Sequence, residues 1–138
     1  FNQDNIPELI LSATSGKNYV VYTYRDGMVM NYDSHDNVDS NVELRYTKKQ
    51  NTLVHKFQDD NETLFTYSVQ KCDEKIMTQK LLMMKIVNEK NETTTYKING
   101  AEVSKKVFQQ YLTKYYKDGT KVKTYKNSAK NRKKLLSA

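Results

Sequence analysis

The chain has 138 residues, of which 37% are hydrophobic, 28% charged and 11% aromatic. That is the size of one domain with its own core, and it is too apolar and aromatic for a disordered chain. No run approaches the roughly 18 apolar residues of a membrane-spanning helix, and a single cysteine, Cys72, excludes an intramolecular disulfide. The net charge of +7 lies wholly in residues 120–138, which hold seven cations and no acid, while residues 1–119 balance 16 basic against 16 acidic side chains.

From Glu8 onward the chain reads as short β-type runs separated by turns. Leu9-Ile10-Leu11 is followed by the turn Ser15-Gly16-Lys17-Asn18, and then by Tyr19-Val20-Val21-Tyr22-Thr23-Tyr24. Asp26-Gly27 joins that run to Met28-Val29-Met30-Asn31-Tyr32. Asp-Gly between β-branched and aromatic runs is a strong hairpin signal, because both residues tolerate positive φ. A polar stretch, Asp33 to Asn41, follows. Val42, Leu44 and Tyr46, then Leu53, His55 and Phe57, then Phe65, Tyr67 and Val69 alternate with polar neighbours. Such a period of two predicts an antiparallel meander. Residues 75–87 suit a long strand or a short helix. The strand is the better reading, because Asn88-Glu89-Lys90-Asn91 then turns the chain into Thr93–Ile98. The tripeptide Asn-Glu-Thr occurs in two of these turns, at Asn61 and at Asn91, and reflects shared turn chemistry.

The period changes after Asn99-Gly100. Ser104 is a good N-cap for a helix over 105–117, with Val103 and Phe108 spaced as a hydrophobic staple. Val107, Phe108, Tyr111, Leu112, Tyr115 and Tyr116 form one wide apolar stripe. Asp118-Gly119 ends it, with Gly119 at the C′ position. Residues 128–136 could form a short basic helix, too short to persist unless docked.

The opening stretch Asn2-Gln3-Asp4-Asn5-Ile6-Pro7-Glu8 matches part of a calcium loop, in which oxygens alternate along a tight turn around a hard cation. In that register Asn2, Asp4, the Ile6 carbonyl and Glu8 are the ligands. Asn5 fills the glycine position, and Leu11 stands where a bidentate Glu belongs. The competing reading is a polar turn that feeds an edge strand.

The segment N-Q-D-N-I-P-E-L-I-L, followed by V-V-Y-T-Y-R-D-G-M-V, resembles the D-x-[DN]-x-D-G-x-P-E-L-I-[LI]…Y-x-Y-x-D-G-x-V pattern of secreted and lipoprotein-type domains of Gram-positive, clostridia-like bacteria. It covers residues 2 to 30, and Asn99-Gly100-Ala101-Glu102-Val103-Ser104 is similar to their strand-to-helix step. The resemblance implies an extracellular or surface-anchored location and no established activity. A chain that opens on Phe1 without a signal segment then reads as a processed or trimmed form.

Enzyme chemistry is hard to assemble from these residues. His35 lies among Asp33, Asp36 and Asp39, a polar run able to hold a metal but more simply solvated. His55 sits within a strand and Cys72 in a turn. There is no G-x-S-x-G, H-E-x-x-H, C-x-x-C or glycine-rich phosphate loop. The basic segment, Lys121, Lys123, Lys126, Lys130, Arg132, Lys133 and Lys134, would attract a polyanion. For an exported protein, cell-wall polymer or an anionic membrane surface outranks nucleic acid.

These readings predict an α+β fold: an antiparallel meander of seven or eight strands, curled or partly closed into a barrel, with one C-terminal amphipathic helix. Residues 1–119 would form a single β-rich domain and 120–138 a basic tail or short docked segment. The function they favour is a non-enzymatic cell-surface binding domain. The alternative is a lipocalin-like carrier of a small apolar ligand, lined by residues such as Tyr22, Tyr24, Phe65, Tyr67, Leu82, Met84 and Ile86.

Overall fold

A computed structural model of the chain describes residues 8–12, 19–35, 40–73, 76–123 and 125–136. The fold is an antiparallel meander with a C-terminal helix, divided into two sheets. The first has the order β1 (Leu9–Ser12), β2 (Tyr19–Arg25), β3 (Met28–His35). The second takes β4 (Ser40–Thr47), β5 (Thr52–Asp59), β6 (Leu64–Cys72), β7 (Met77–Asn88), β8 (Thr93–Ile98) and β9 (Ala101–Glu102) in chain order. A short strand β10 (Thr120–Lys121) completes it on the far side of β4. The larger sheet is not closed.

Local chemistry accounts for most of these elements. Asp26 and Gly27 both take positive φ, 51° and 80°, the turn whose twist matches that of its strands. Asn99 and Gly100 make the same turn between β8 and β9. The two Asn-Glu-Thr tripeptides also behave alike, since Glu62 and Glu92 each adopt the left-handed conformation, with φ of 57° and 52°. The long-strand reading holds over β7, Met77–Asn88, which pairs with β6 on one side and β8 on the other; Lys75 lies outside the described residues. The polar stretch after Tyr32 is only partly a connection: β3 continues through His35 because Asp33 and His35 pair with Val21 and Tyr19.

Ser104 caps α1 (Lys105–Leu112), its hydroxyl accepting from the Val107 N–H at 3.3 Å. The helix continues as one π turn, Thr113–Lys117. Phe108, Leu112, Tyr115 and Tyr116 are buried against Val54, Tyr67, Val69, Leu81 and Met83 of the larger sheet, with Val103 packed at the edge of that cluster. The expected apolar stripe is therefore narrower than its spelling. Val107 and Tyr111 lie on its flank and stay exposed, because at 100° per residue the positions i, i+4, i+7 and i+8 from Phe108 take the centre. Gly119 does not act as a left-handed cap. A Cβ there would stand 3.1 Å from the Tyr116 carbonyl oxygen, 3.2 Å from Arg45 Cβ and 3.3 Å from Thr47 Oγ1. Its glycine lets the end of the helix close onto β4.

A second core forms on the opposite face of the larger sheet. Tyr19 and Val21 of β2 pack there with Leu53 and Cys72, and Leu44, Tyr46 and Val122 flank them. Pairing of Thr120 with Tyr46 and of Lys121 with Arg45 means that the basic segment begins as an edge strand.

Candidate functional site

Among the described residues the first sheet has a dry side and an exposed one. Tyr19, Val21 and Thr23 of β2 face the larger sheet and are at most 5% exposed. The residues between them point away, and register places Leu9 beside Tyr22, Leu11 beside Val20, and Tyr24 beside Val29. On that outer side Leu9 is 48% exposed, Leu11 52%, Tyr24 49% and Val29 70%. Antiparallel sheets usually alternate apolar and polar when one side is wet. Here β1 and β2 are apolar on the outer side too, with Asn31 of β3 beside Tyr22. At the hairpin end the inner side opens too, leaving Met28 and Met30 exposed. The β2–β3 hairpin thus presents large apolar side chains in both directions around its Asp26-Gly27 turn.

A partly enclosed hollow of about 270 Å³ lies where the two sheets meet. Tyr19 of β2, His55 and Phe57 of β5, and Ser68, Gln70 and Gln79 of β6 and β7 border it. Tyr19 Oη and His55 Nδ1 are hydrogen-bonded at 2.6 Å. Gln70 Nε2 donates to Ser68 Oγ at 2.8 Å, and Ser68 Oγ donates to Gln79 Oε1 at 3.2 Å. A bulge in the β6–β7 pairing aligns this row. Val69 pairs with Leu81 but Gln70 with Gln79, which leaves Lys80 as the extra residue. Lys80 then lies on the helix side, its Nζ 5.5 Å from the Tyr115 ring centre.

The larger sheet also carries a charged cluster at its β4 edge. Glu43 Oε1 accepts from Arg45 Nε and from the Tyr116 hydroxyl, each at 2.8 Å, and Oε2 accepts from Lys121 Nζ at 3.1 Å. Arg45 stacks over the Tyr116 ring at 4.6 Å and donates to the Gly119 carbonyl at 3.4 Å. Partial burial would raise the Glu43 pKa, but the hydrogen bonds from Arg45, Tyr116 and Lys121 outweigh it and hold the carboxyl at about 2. Burial, followed by the bond to Glu43, pushes the Tyr116 hydroxyl well up. Every oxygen of Glu43 is engaged with the helix end or the edge strand, so the cluster is a clamp.

The expected sites fall out as follows. Asn2, Asp4 and Ile6 of the calcium loop lie outside the described residues, as do Asp36 and Asp39 around His35; Glu8, half-buried, directly precedes β1. Among the described residues no three His, Cys, Asp or Glu side chains are grouped to hold a metal ion. Of the seven basic positions, Lys121 is tied to Glu43, and Lys123 and Lys126 are exposed between β10 and α2 (Ala129–Leu136). Lys130, Arg132, Lys133 and Lys134 ride on that helix. Ser128 Oγ caps it by accepting from the Asn131 N–H at 3.2 Å, and Lys134 reaches over Tyr125 at 5.9 Å.

The residues named for a carrier cavity do not share one lumen. Tyr67 pairs with Met83 on the helix side, whereas Leu82, Met84 and Ile86 alternate to the other side, and Tyr24 stands on the outer face of the smaller sheet. A larger concavity of about 610 Å³ is an open groove along α1, bordered by Gln50, Lys106, Gln110 and Lys114. His55, read as a strand residue, is 3% exposed, and Cys72, expected in a turn, is fully buried at the end of β6. Sequence reasoning missed the Ser68, Gln70 and Gln79 row. Its signal was present, since Ser68 and Gln70 occupy the positions of β6 that alternate with Tyr67 and Val69. Comparison with protein-family models, with curated proteins and with solved structures gives no match.

Proposed function

We propose that the protein is a non-enzymatic cell-surface binding domain that docks on an anionic lipid surface through the outer face of its smaller sheet and the β2–β3 hairpin. The observation that carries this reading is the exposure of the apolar side chains of Leu9, Leu11, Tyr24 and Val29, extended by Met28 and Met30 at the hairpin end. Contiguous exposed apolar side chains mark contact surfaces. Charge complementarity selects the occupant. The whole net charge of +7 sits in residues 120–138, and that segment leaves the body at Val122, which packs in the same cluster as Tyr19 and Val21 of the smaller sheet. Each cation near an anionic leaflet contributes about 1 kcal/mol, and apolar burial adds to it. The resemblance of residues 2–30 to secreted and lipoprotein-type domains supports a location where such a surface is met.

The test is sedimentation of the protein with vesicles of phosphatidylcholine alone and with added phosphatidylglycerol. Binding should require the anionic lipid, weaken steeply with salt and be lost in Met28→Asp/Val29→Asp, a pair of changes at exposed positions, with its fold checked by the thermal midpoint. Absence of sedimentation overturns the reading. So does a concentration-dependent dimer abolished by the same two substitutions, which would make a second copy the occupant.

A further inference from the structure

The hollow between the sheets holds a hydrogen-bonded polar row, and the docking face does not account for it. Among the described residues that border it none is Asp, Glu, Lys or Arg, so against that lining a charged ligand would lose its hydration without a counter-charge. A purely apolar ligand would instead strip water from the row of Ser68, Gln70 and Gln79 without replacing its hydrogen bonds. The ligand that suits the lining is neutral and polar.

The row has directional capacity to spare. With Gln70 Nε2 donating to Ser68 and Ser68 donating to Gln79 Oε1, the Gln70 carbonyl oxygen and the Gln79 amide N–H groups remain as an acceptor and donors. Gln70 and Gln79 are register partners, and Ser68 Oγ bridges their amides, so both heads belong to one short row. Such a pair matches adjacent hydroxyls, each of which both donates and accepts. Across the hollow the rings meet edge to face: Tyr19 and His55 at 5.2 Å and 84°, His55 and Phe57 at 6.2 Å and 76°. These ring pairs form no parallel slot for a flat base. It suits a puckered ring whose C–H bonds contact aromatic sides while its rim hydroxyls point elsewhere. A volume of about 270 Å³ falls just under the roughly 300–1,000 Å³ of pockets for drug-sized ligands, enough for one ring.

We propose that this hollow binds a single neutral, hydroxyl-bearing sugar ring, held by the amides of Gln70 and Gln79 with Ser68 between them and bounded by Tyr19, His55 and Phe57. The bulge serves the site directly. Without it Lys80 would stand opposite Gln70 and bring a cation into the lining.

The experiment is a two-dimensional NMR titration of the full chain with D-glucose, D-galactose and N-acetylglucosamine, following the His55 ring and the Gln70 and Gln79 side-chain amides. Sodium phosphate and acetate serve as charged controls. At least one sugar should shift those signals saturably by roughly 50 mM, the range that fills a millimolar site, and the anions should not. Gln79→Leu, with its fold checked by the backbone amide spectrum, should weaken binding about tenfold, as loss of hydrogen bonds to a neutral partner does. Gln70→Leu should do the same and covers the case in which the first variant is unfolded. Silence to all three sugars, equal binding by the folded variants, or a response to the anions alone overturns the proposal. Vesicle binding is untouched by any of these outcomes, so the two readings fail separately.

Discussion

The two sheets of this molecule use similar apolar strands in opposite ways. In the larger sheet, the face of Val54, Tyr67, Val69 and Met83 is closed by Phe108, Leu112, Tyr115 and Tyr116, and its edge at β4 is clamped by Glu43. In the smaller sheet, Tyr19 and Val21 are buried while their neighbours Tyr24 and Val29 face outward with nothing packed on them in the described structure. An apolar side chain therefore means core in one place and contact surface in the other. The strand spelling alone does not distinguish them; the presence of a covering element does.

Truncation should separate the two regions most sharply. Phe108 is 1% exposed and touches both Tyr67 and Tyr96, so Phe108→Ala should cost about 3–5 kcal/mol in urea unfolding. Val29→Ser on the outer face should change stability by less than about 0.5 kcal/mol. Comparable losses at the two positions would show that the outer face is covered after all.

A smaller effect should sharpen the picture of the clamped edge. Glu43 is held at about 2 against an ordinary value of 4.5, so the folded state favours its ionised form. That stability is fully present above pH 4.5 and is lost as the pH falls through the folded value near 2. Allowing for its partial solvent screening, it amounts to about 1–2 kcal/mol. Glu43→Gln should lower stability by that amount at neutral pH and flatten the acid limb between pH 4.5 and 2, as read by denaturant midpoints across the range. A variant with an unchanged acid limb would assign the acid sensitivity to other carboxylates.

Much of the fold was legible because its signals are local. Asp26-Gly27 specifies its own turn, Ser104 its cap, and the alternation around Leu53 and Tyr67 its strands. What could not be read depends on distant partners. The division into two sheets is decided where Tyr19 and Val21 meet Leu53 and Cys72, contacts more than 30 residues apart in sequence. The exposed flank of the helix follows from which turn of α1 meets Tyr67, and Gly119 is explained by its closeness to Arg45 and Thr47 rather than by a cap. The hollow was hidden most completely. The β6–β7 bulge, one residue of register, sets Gln79 rather than Lys80 beside Gln70, and no pattern in the strand itself announces it.

The chain contains no tryptophan, which makes the docking face directly observable. A Val29→Trp variant carries one indole at the most exposed position of the outer face, and its emission can be recorded with and without phosphatidylglycerol vesicles. Docking of the β2–β3 hairpin on an anionic lipid surface predicts a blue shift that appears only with the anionic vesicles and reverses with salt. Emission that stays at the water-exposed wavelength while the protein sediments with the vesicles would contradict it, and would leave the basic segment as the sole contact.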